Sequence, residues 1–299
     1  MHEQLLKQIR QGDIKALTRA ISFIENEQPG YTDLLQSLPA GIPANVIGLT
    51  GPPGAGKSTL VNAMIGELLK EDKKLAVICV DPSSPFNLGA LLGDRIRMSE
   101  WYTHPNVFIR SLATRGSMGG LSPKIIEITD LLKSAGFDFI IIETVGVGQS
   151  EIEIAGLADV TIVVVVPESG DEVQTMKAGM MEIADVFVIN KTDRPDADVF
   201  EKNLRLMLSP AYHSRAKEVP VIKTIATEKK GIDELMKAIR EQLTEERNQE
   251  RHLALLTDKA WQLLVHKKMK DISKTELKKT IEAVYKNEGF NLYSFIDKM

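Results

Sequence analysis

Residues 51–59 read GPPGAGKST, a complete G-x-x-x-x-G-K-[ST] pattern, and they directly follow the apolar run at residues 46–49. Gly51, Gly54 and Gly56 allow the backbone to turn tightly, so that successive N–H groups point inward at the start of the next helix. Such a loop binds phosphate oxygens, and its strand-loop-helix order predicts an α/β fold. The stretch therefore predicts a nucleotide polyphosphate as the first ligand.

The other residues of this loop are predicted to contact the nucleotide as well. Lys57 is expected to reach the β and γ phosphates, and the Ser58 hydroxyl is expected to bind Mg²⁺. Ala55 and Thr59 complete this predicted set. A glycine- and proline-rich turn without a ligand is the alternative, and the complete motif between a strand and a helix argues against it.

The composition is that of an ordinary globular protein. The 299 residues are 43% hydrophobic and 26% charged, and the net charge of -4 gives no electrostatic reason to expect a nucleic-acid partner. The single cysteine, Cys79, excludes an intrachain disulfide framework and fits a reducing compartment. No stretch approaches the roughly 18 apolar residues of a membrane span, and the N-terminus has no targeting pattern. We therefore expect a cytoplasmic protein without a membrane partner.

Short apolar runs alternate with helical stretches through the middle of the chain, and this rhythm predicts a mostly parallel, doubly wound α/β sheet. The run at 160–166 lacks the alternation of a half-exposed strand, as expected where helices cover both faces. We predict an N-terminal helical extension at 1–43, a nucleotide-binding domain at 44–243 and a C-terminal helical segment at 244–299. The predicted strands are 44–50, 75–80, 107–111, 137–142, 160–166, 185–189 and 220–225.

A second motif, Asn190-Lys191-Thr192-Asp193, directly follows a predicted strand. The Asp193 carboxylate can accept hydrogen bonds from the N1–H and the exocyclic amine of guanine, and adenine offers no such pair of donors. Asn190 is expected to tie this loop to the phosphate loop, and the Lys191 stem to lie along the purine. Ala226, after another predicted strand, is a weaker candidate to donate its N–H to guanine O6. A surface turn is the alternative for an isolated N-K-x-D.

Three acidic residues stand between these motifs and could provide the hard oxygen ligands that Mg²⁺ prefers. Asp81 and Glu143 each end a predicted strand, so both are expected at the carboxyl edge of the sheet, where open α/β folds bind ligands. Asp94 lies in a loop-like segment between them. With Lys57 these are the predicted catalytic residues, and a helix cap is the alternative for each carboxylate. Gly146 is predicted to donate its N–H to the γ phosphate.

Together these motifs resemble the MeaB/ArgK group of P-loop GTPases, which are chaperones of adenosylcobalamin-dependent acyl-CoA mutases. The resemblance covers nearly the whole chain, and ETVGVGQSE is its most specific stretch because it keeps Glu143 where most GTPases have the Asp of D-x-x-G. Metal-handling relatives carry Cys or His clusters, and one Cys with five scattered His residues argues against that role. The stretches that carry the resemblance are GPPGAGKST, VDPSSP, GDRIRM, RGSMGG, ETVGVGQSE, SGDEVQTMKAG and NKTD.

The resemblance implies a function beyond nucleotide binding. It implies a Mg²⁺-dependent GTPase that hydrolyses GTP to GDP and gates cofactor loading and protection of a mutase of the methylmalonyl-CoA type. The three acidic residues would surround the metal, and 81–97 and 144–152 would respond to the nucleotide. The stretch 168–177 looks like an additional switch toward the mutase. The C-terminal helices would form a homodimerisation arm.

A water-positioning Gln or a cis arginine finger is not evident in these motifs, so we expect slow hydrolysis that a partner stimulates. The nearest candidates for such groups are Gln149, Arg95, Arg97 and Arg115.

Two other functions remain open from the sequence, and the chain departs from the family pattern at three places. The same phosphate loop could serve a kinase that phosphorylates an amino-acid transport system, or an ATPase of the partitioning type. The departures are Ile96, where relatives commonly have Thr, Leu88-Gly89-Ala90, where they have a Gly-Gly-Ser run, and Ile225, which stands where they usually have Ser beside Ala226. Loss of that hydroxyl is expected to weaken the guanine loop by about 1 kcal/mol at most.

Overall fold

The computed structural model divides into two compact units, Met1–Arg251 and His252–Met299. These units do not test the predicted boundaries after residues 43 and 243, which stay predictions. The structure describes residues 2–39, 44–81, 98–114, 121–146, 150–169, 178–212, 218–243, 249–268, 274–285 and 290–296.

Seven strands form one sheet in the larger unit, and each lies within two residues of a predicted strand. They are β1 (Asn45–Thr50), β2 (Leu75–Asp81), β3 (Val107–Ala113), β4 (Phe139–Glu143), β5 (Val160–Val165), β6 (Val186–Asn190) and β7 (Val221–Thr224). All pairings within this sheet are parallel, in the order β3-β2-β4-β1-β5-β6-β7. The predicted parallel α/β fold is therefore confirmed.

Helices cover both faces of the sheet. In β5, Ile162 and Val164 pack on one face, while Val163 and Val165 pack on the other. All residues of β5 are buried, which explains why its sequence shows no polar alternation. The helices of the larger unit are α1 (His2–Arg10), α2 (Ile14–Glu25), α3 (Tyr31–Gln36), α4 (Lys57–Leu69), α5 (Ile125–Ser134), α6 (Ser150–Leu157), α7 (Ala178–Ile183), α8 (Ala197–Tyr212) and α9 (Ile232–Leu243).

The N-terminal helices dock on the sheet domain through buried apolar side chains and ion pairs. Asp13 caps α2 by accepting hydrogen bonds from the N–H groups of Lys15 and Ala16. Arg110 of β3 donates to Glu25 of α2 over 2.7 Å. The apolar residues Ala16, Leu17, Ala20, Ile21 and Ile24 of α2 are buried. The amphipathic helices predicted at this end of the chain are therefore part of the larger unit.

The remaining helices contain many exposed apolar side chains. They are α10 (Gln249–Lys268), α11 (Lys274–Tyr285) and α12 (Leu292–Ile296). Trp261 of α10 is 68% exposed, and Leu253 and Leu264 on the same helix are also exposed. Within the described part of the chain, no helix has the length and apolar content that crossing a membrane requires.

Close packing between β1 and α6 depends on Gly48. A Cβ at this position would lie 2.5 Å from Cγ1 of Ile154 and 3.1 Å from Cβ of Ala158. Gly66 on α4 is different, because the nearest atom to its added Cβ, on Trp101, is 3.8 Å away. The two glycines therefore form a matched pair for testing this packing.

We expect Gly48→Ala to lower the free energy of unfolding by about 1–3 kcal/mol, because the added methyl group overpacks the contact between β1 and α6. Gly66→Ala should leave stability unchanged or raise it by up to about 1 kcal/mol, since alanine favours the helix and meets no close neighbour. Urea unfolding of the two variants and the wild type measures both effects. Equal midpoints for the two variants would contradict this account of the packing.

Candidate nucleotide-binding site

The phosphate loop joins the end of β1 to the start of α4, and its backbone conformation requires glycine. Gly51, Gly54 and Gly56 have φ values of 138°, 78° and 88°. A Cβ on Gly51 would lie 2.0 Å from the carbonyl oxygen of Val164, and one on Gly56 would lie 2.4 Å from Nδ2 of Asn190. The loop therefore has the tight turn that the sequence predicts for an anion-binding site at a helix N-terminus.

Lys57 lies across this loop. Its Nζ donates hydrogen bonds to the carbonyl oxygens of Gly51, over 2.8 Å, and of Pro52, over 3.1 Å. Gly146 approaches the same place from the loop after β4, since a Cβ there would lie 2.7 Å from Lys57 Nζ and 2.1 Å from the carbonyl oxygen of Gly51. The ammonium group and the Gly146 backbone are thus brought together, as their predicted roles at the γ phosphate require.

Ser58 and Glu143 meet at the first turn of α4. The Ser58 hydroxyl donates to Oε1 of Glu143 over 2.7 Å, and both residues are buried. Asp81 is also buried, at the end of β2, and β2 neighbours β4 in the sheet. Asp94, the third predicted carboxylate, lies outside the described residues.

These oxygen groups fit Mg²⁺ by their chemistry, because this ion prefers carboxylate and hydroxyl oxygens. In the ranges that the structure describes, no three His, Cys, Asp or Glu side chains converge on one point. Mg²⁺ at a nucleotide site does not require such a cluster, since it usually keeps several waters and takes other ligands from substrate phosphates.

Asn190, at the end of β6, connects three loops with one side chain. Its Nδ2 donates to the carbonyl oxygen of Ala55 over 2.9 Å. Its Oδ1 accepts hydrogen bonds from the Thr224 hydroxyl, over 3.1 Å, and from the Ala226 N–H, over 3.2 Å. Only 2% of Asn190 is exposed, so these bonds lie away from water. The residue holds the N-K-x-D loop against the phosphate loop, as its sequence position suggests.

Two of these contacts were not predicted from the sequence. The N–H of Ala226, proposed for guanine O6, donates to Asn190 Oδ1 in this structure. The Thr224 hydroxyl bonds to the same oxygen, and the sequence did not single out this residue. Thr224 lies opposite Asn190 in the register of β6 and β7, a pairing that is visible only in the folded sheet. It supplies a hydroxyl next to Ile225, the position where the expected serine is missing.

Lys191 and Asp193 are the residues predicted to contact the guanine base. Lys191 has a φ of 59°, and its Nζ donates to the carbonyl oxygen of Gly54 over 2.8 Å, which brings its stem over the phosphate loop. Asp193 is exposed. The pKa of Lys230 is raised, first by its hydrogen bond to Glu228 and more weakly by the charge of Asp193. The Asp193 carboxylate therefore lies in the electrostatic range of a lysine and is accessible to a ligand.

Several further expectations lie outside the described residues. These are the candidates Gln149, Arg95, Arg97 and Arg115, the parts 82–97 and 147–149 of the predicted nucleotide-responsive segments, and the part 170–177 of the predicted switch toward the mutase.

Comparisons with known proteins also indicate a nucleotide-binding protein. Residues 17–280 match the family model of MeaB, the methylmalonyl-CoA mutase-associated GTPase. A protein of Pyrococcus abyssi, provisionally named a GTPase, is 48% identical over 245 residues, which is 81% of this chain and 76% of that protein. A fused isobutyryl-CoA mutase of Geobacillus kaustophilus is 36% identical over 239 residues, which is 75% of this chain but 22% of that protein.

One solved structure covers almost the entire fold. It is described as the crystal structure of LAO/AO transport system kinase, and it has a TM-score of 0.69 and 28% sequence identity. The alignment covers 99% of this chain and 95% of the solved one. The sheet, the loops at its carboxyl edge and the family match over most of the sequence lead to one assignment. The chain belongs to the MeaB family of P-loop GTPases.

Proposed function

We propose that this protein is a Mg²⁺-dependent GTPase that hydrolyses GTP to GDP and phosphate and acts as a switch for an adenosylcobalamin-dependent acyl-CoA mutase. The Asn190 network is the observation that carries the nucleotide part of this proposal. It joins the phosphate loop to the loop that contains Asp193. One GTP molecule spanning the two loops would have its phosphates at the α4 N-terminus and its guanine at Asp193.

Different residues of the chain have different roles in GTP hydrolysis. The phosphate-loop amides bind the β phosphate, and Lys57 exchanges its two carbonyl partners for phosphate oxygens, where it stabilises developing negative charge. Gly146 donates its N–H to the γ phosphate, so the loop after β4 responds to its presence. Ser58, Asp81 and Glu143 would hold Mg²⁺. That ion, when bound, neutralises charge on the β and γ phosphates.

The mutase role is supported by the comparisons. The family is described as mutase-associated, and a related segment occurs within a single chain with an isobutyryl-CoA mutase. Such a fusion keeps the related segment next to a mutase, which fits a GTPase that acts on a mutase. We propose that the separate chain serves a mutase of this class, of the methylmalonyl-CoA type, in the cytoplasm.

We also propose a homodimer that forms through the C-terminal helices. The support is the set of large apolar side chains exposed on α10, because clusters of exposed apolar side chains often mark protein interfaces. Leu253, Leu256, Trp261, Leu263, Leu264 and Val265 of α10 are exposed in the chain by itself.

A kinase is the second candidate, because the solved relative with 28% identity is described as a transport-system kinase. The two functions differ in the acceptor of the γ phosphate. A kinase transfers it to a hydroxyl or carboxylate, whereas a switch GTPase transfers it to water.

GTP labelled at the γ phosphate distinguishes these two functions. We expect the label to appear as free phosphate, with none retained on protein, when the purified chain is incubated with Mg²⁺ and a lysate of its source. Lys57→Ala, as control, should release little label because the charge on the γ phosphate is no longer stabilised. Label retained on a protein with the wild type and lost with Lys57→Ala would favour the kinase.

Asp193→Asn tests guanine recognition. We expect GTP affinity to fall about 10- to 100-fold, because an amide cannot accept both hydrogen bonds from the base and loses the charge that strengthens them. Xanthosine triphosphate, which offers a carbonyl in place of the exocyclic amine, should bind the variant better than it binds the wild type. Asp196→Asn is the control, since it makes the same charge change three residues away. Equal affinities of both variants for GTP, measured by calorimetry, would contradict this role of Asp193.

Stimulation of GTP hydrolysis by a partner is tested by titrating the cognate mutase into the GTPase. We expect saturating cognate mutase to raise the GTP hydrolysis rate several-fold, because the partner would complete or order the groups that position the attacking water. Steady-state phosphate release measures the rate, and a mutase variant that no longer binds the chain serves as control. A rate that stays constant throughout the titration would contradict the switch function while leaving GTP hydrolysis intact.

A further inference from the structure

A hydrogen-bonded pair of threonine hydroxyls lies at the base of the site. The Thr144 hydroxyl donates to Thr50 Oγ1 over 3.1 Å, and the two residues are 2% and 0% exposed. Thr50 is the last residue of β1, immediately before Gly51. Thr144 immediately follows Glu143, the last residue of β4. The pair therefore connects the first residues of the phosphate loop to those of the Glu143–Gly146 loop.

Backbone contacts extend this connection toward the ligand. The Thr144 N–H donates to the carbonyl oxygen of Leu49 over 3.0 Å, which continues the ladder between β1 and β4 by one bond. Two residues further, Gly146 lies against the carbonyl oxygen of Gly51, the same oxygen that accepts a hydrogen bond from Lys57. A shift between the two strand ends would thus move Gly146 relative to Lys57.

The two phosphates of interest depend on these loops differently. Under the proposed function, the phosphate loop alone binds the β phosphate, whereas the γ phosphate needs Lys57 from one loop and the Gly146 N–H from the other. The distance between the loops should therefore affect the binding affinity for GTP and have little effect on the affinity for GDP. The Ser58–Glu143 hydrogen bond also joins the two loops, at the first turn of α4, whereas the threonine pair joins them where they leave β1 and β4.

We propose that the Thr50–Thr144 hydroxyl pair is a positioning element that fixes the spacing of the two loops and thereby favours binding of GTP over GDP. This inference rests on the proposed function. Neither threonine touches the nucleotide, and both act through Gly51 and Gly146. The pair differs from a purely structural hydrogen bond because its removal should change the ratio of two nucleotide affinities as well as the stability of the fold.

Valine replaces threonine with nearly the same shape, so the variants Thr50→Val, Thr144→Val and the double variant remove the hydrogen bond without leaving a cavity. Each single variant leaves one buried hydroxyl without its partner and should lower the melting temperature. The double variant leaves no such hydroxyl and should recover most of that loss. The stability effect and the positioning effect therefore separate in the double variant.

We expect the affinity for a non-hydrolysable GTP analogue to fall about five-fold in all three variants, since one net hydrogen bond no longer holds the loops together. GDP affinity should stay as in the wild type. Calorimetry in Mg²⁺ buffer measures both affinities on the full chain. Thr161→Val is the control, because Thr161 is fully buried in β5 and its hydroxyl has no hydrogen-bond partner among the described residues. It should leave both affinities unchanged.

The inference is overturned if the double variant shows the wild-type ratio of GTP-analogue to GDP affinity. This includes the case in which both affinities fall by the same factor, because a general loss of structure would then explain the result. A wild-type chain that binds neither nucleotide would instead contradict the proposed function, so the two failures can be told apart.

Discussion

The buried amide of Asn190 is the interaction on which the site depends. An unpaired amide in such a place would cost free energy, and here both ends of the group are bonded, to Ala55 on one side and to Thr224 and Ala226 on the other. The same bonds that satisfy this polar group hold three loops in a fixed arrangement. A nucleotide therefore meets loops that are already in place, which reduces the ordering cost of binding.

Strand order explains why these loops can meet. β1 lies in the middle of the sheet, between β4 and β5, and all strands are parallel. The loops after β1 and β4 therefore emerge side by side, with Lys57 and Ser58 facing Gly146 and Glu143. The loops after β6 and β7 emerge further along the same edge and provide Asn190 and the residues that bond to it. A ligand that spans this edge touches both groups, as is usual for open parallel sheets.

Hydroxyl side chains link neighbouring segments at the carboxyl edge of the sheet. Thr224 bonds to Asn190, Thr50 bonds to Thr144, and Ser58 bonds to Glu143, each over 2.7–3.1 Å. A hydroxyl is short and has both donor and acceptor capacity, so it can link two strand ends without pushing them apart. Thr224 places its hydroxyl next to Ile225, the position where the family pattern usually has serine.

The sequence by itself determined the strands and helices of the sheet domain and predicted the ligand groups of this protein. Apolar runs predicted all seven strands. The phosphate loop and the N-K-x-D motif are short sequence patterns whose residues are neighbours both in the chain and in the fold, so they can be recognised without the tertiary structure. The tertiary structure alone decided which strands are neighbours, and hence that Thr224 lies opposite Asn190 and Thr50 beside Thr144. It also decided that the Ala226 N–H bonds to Asn190. These contacts join residues 34 to 94 positions apart, and strand register over such separations is set by side-chain packing across the sheet.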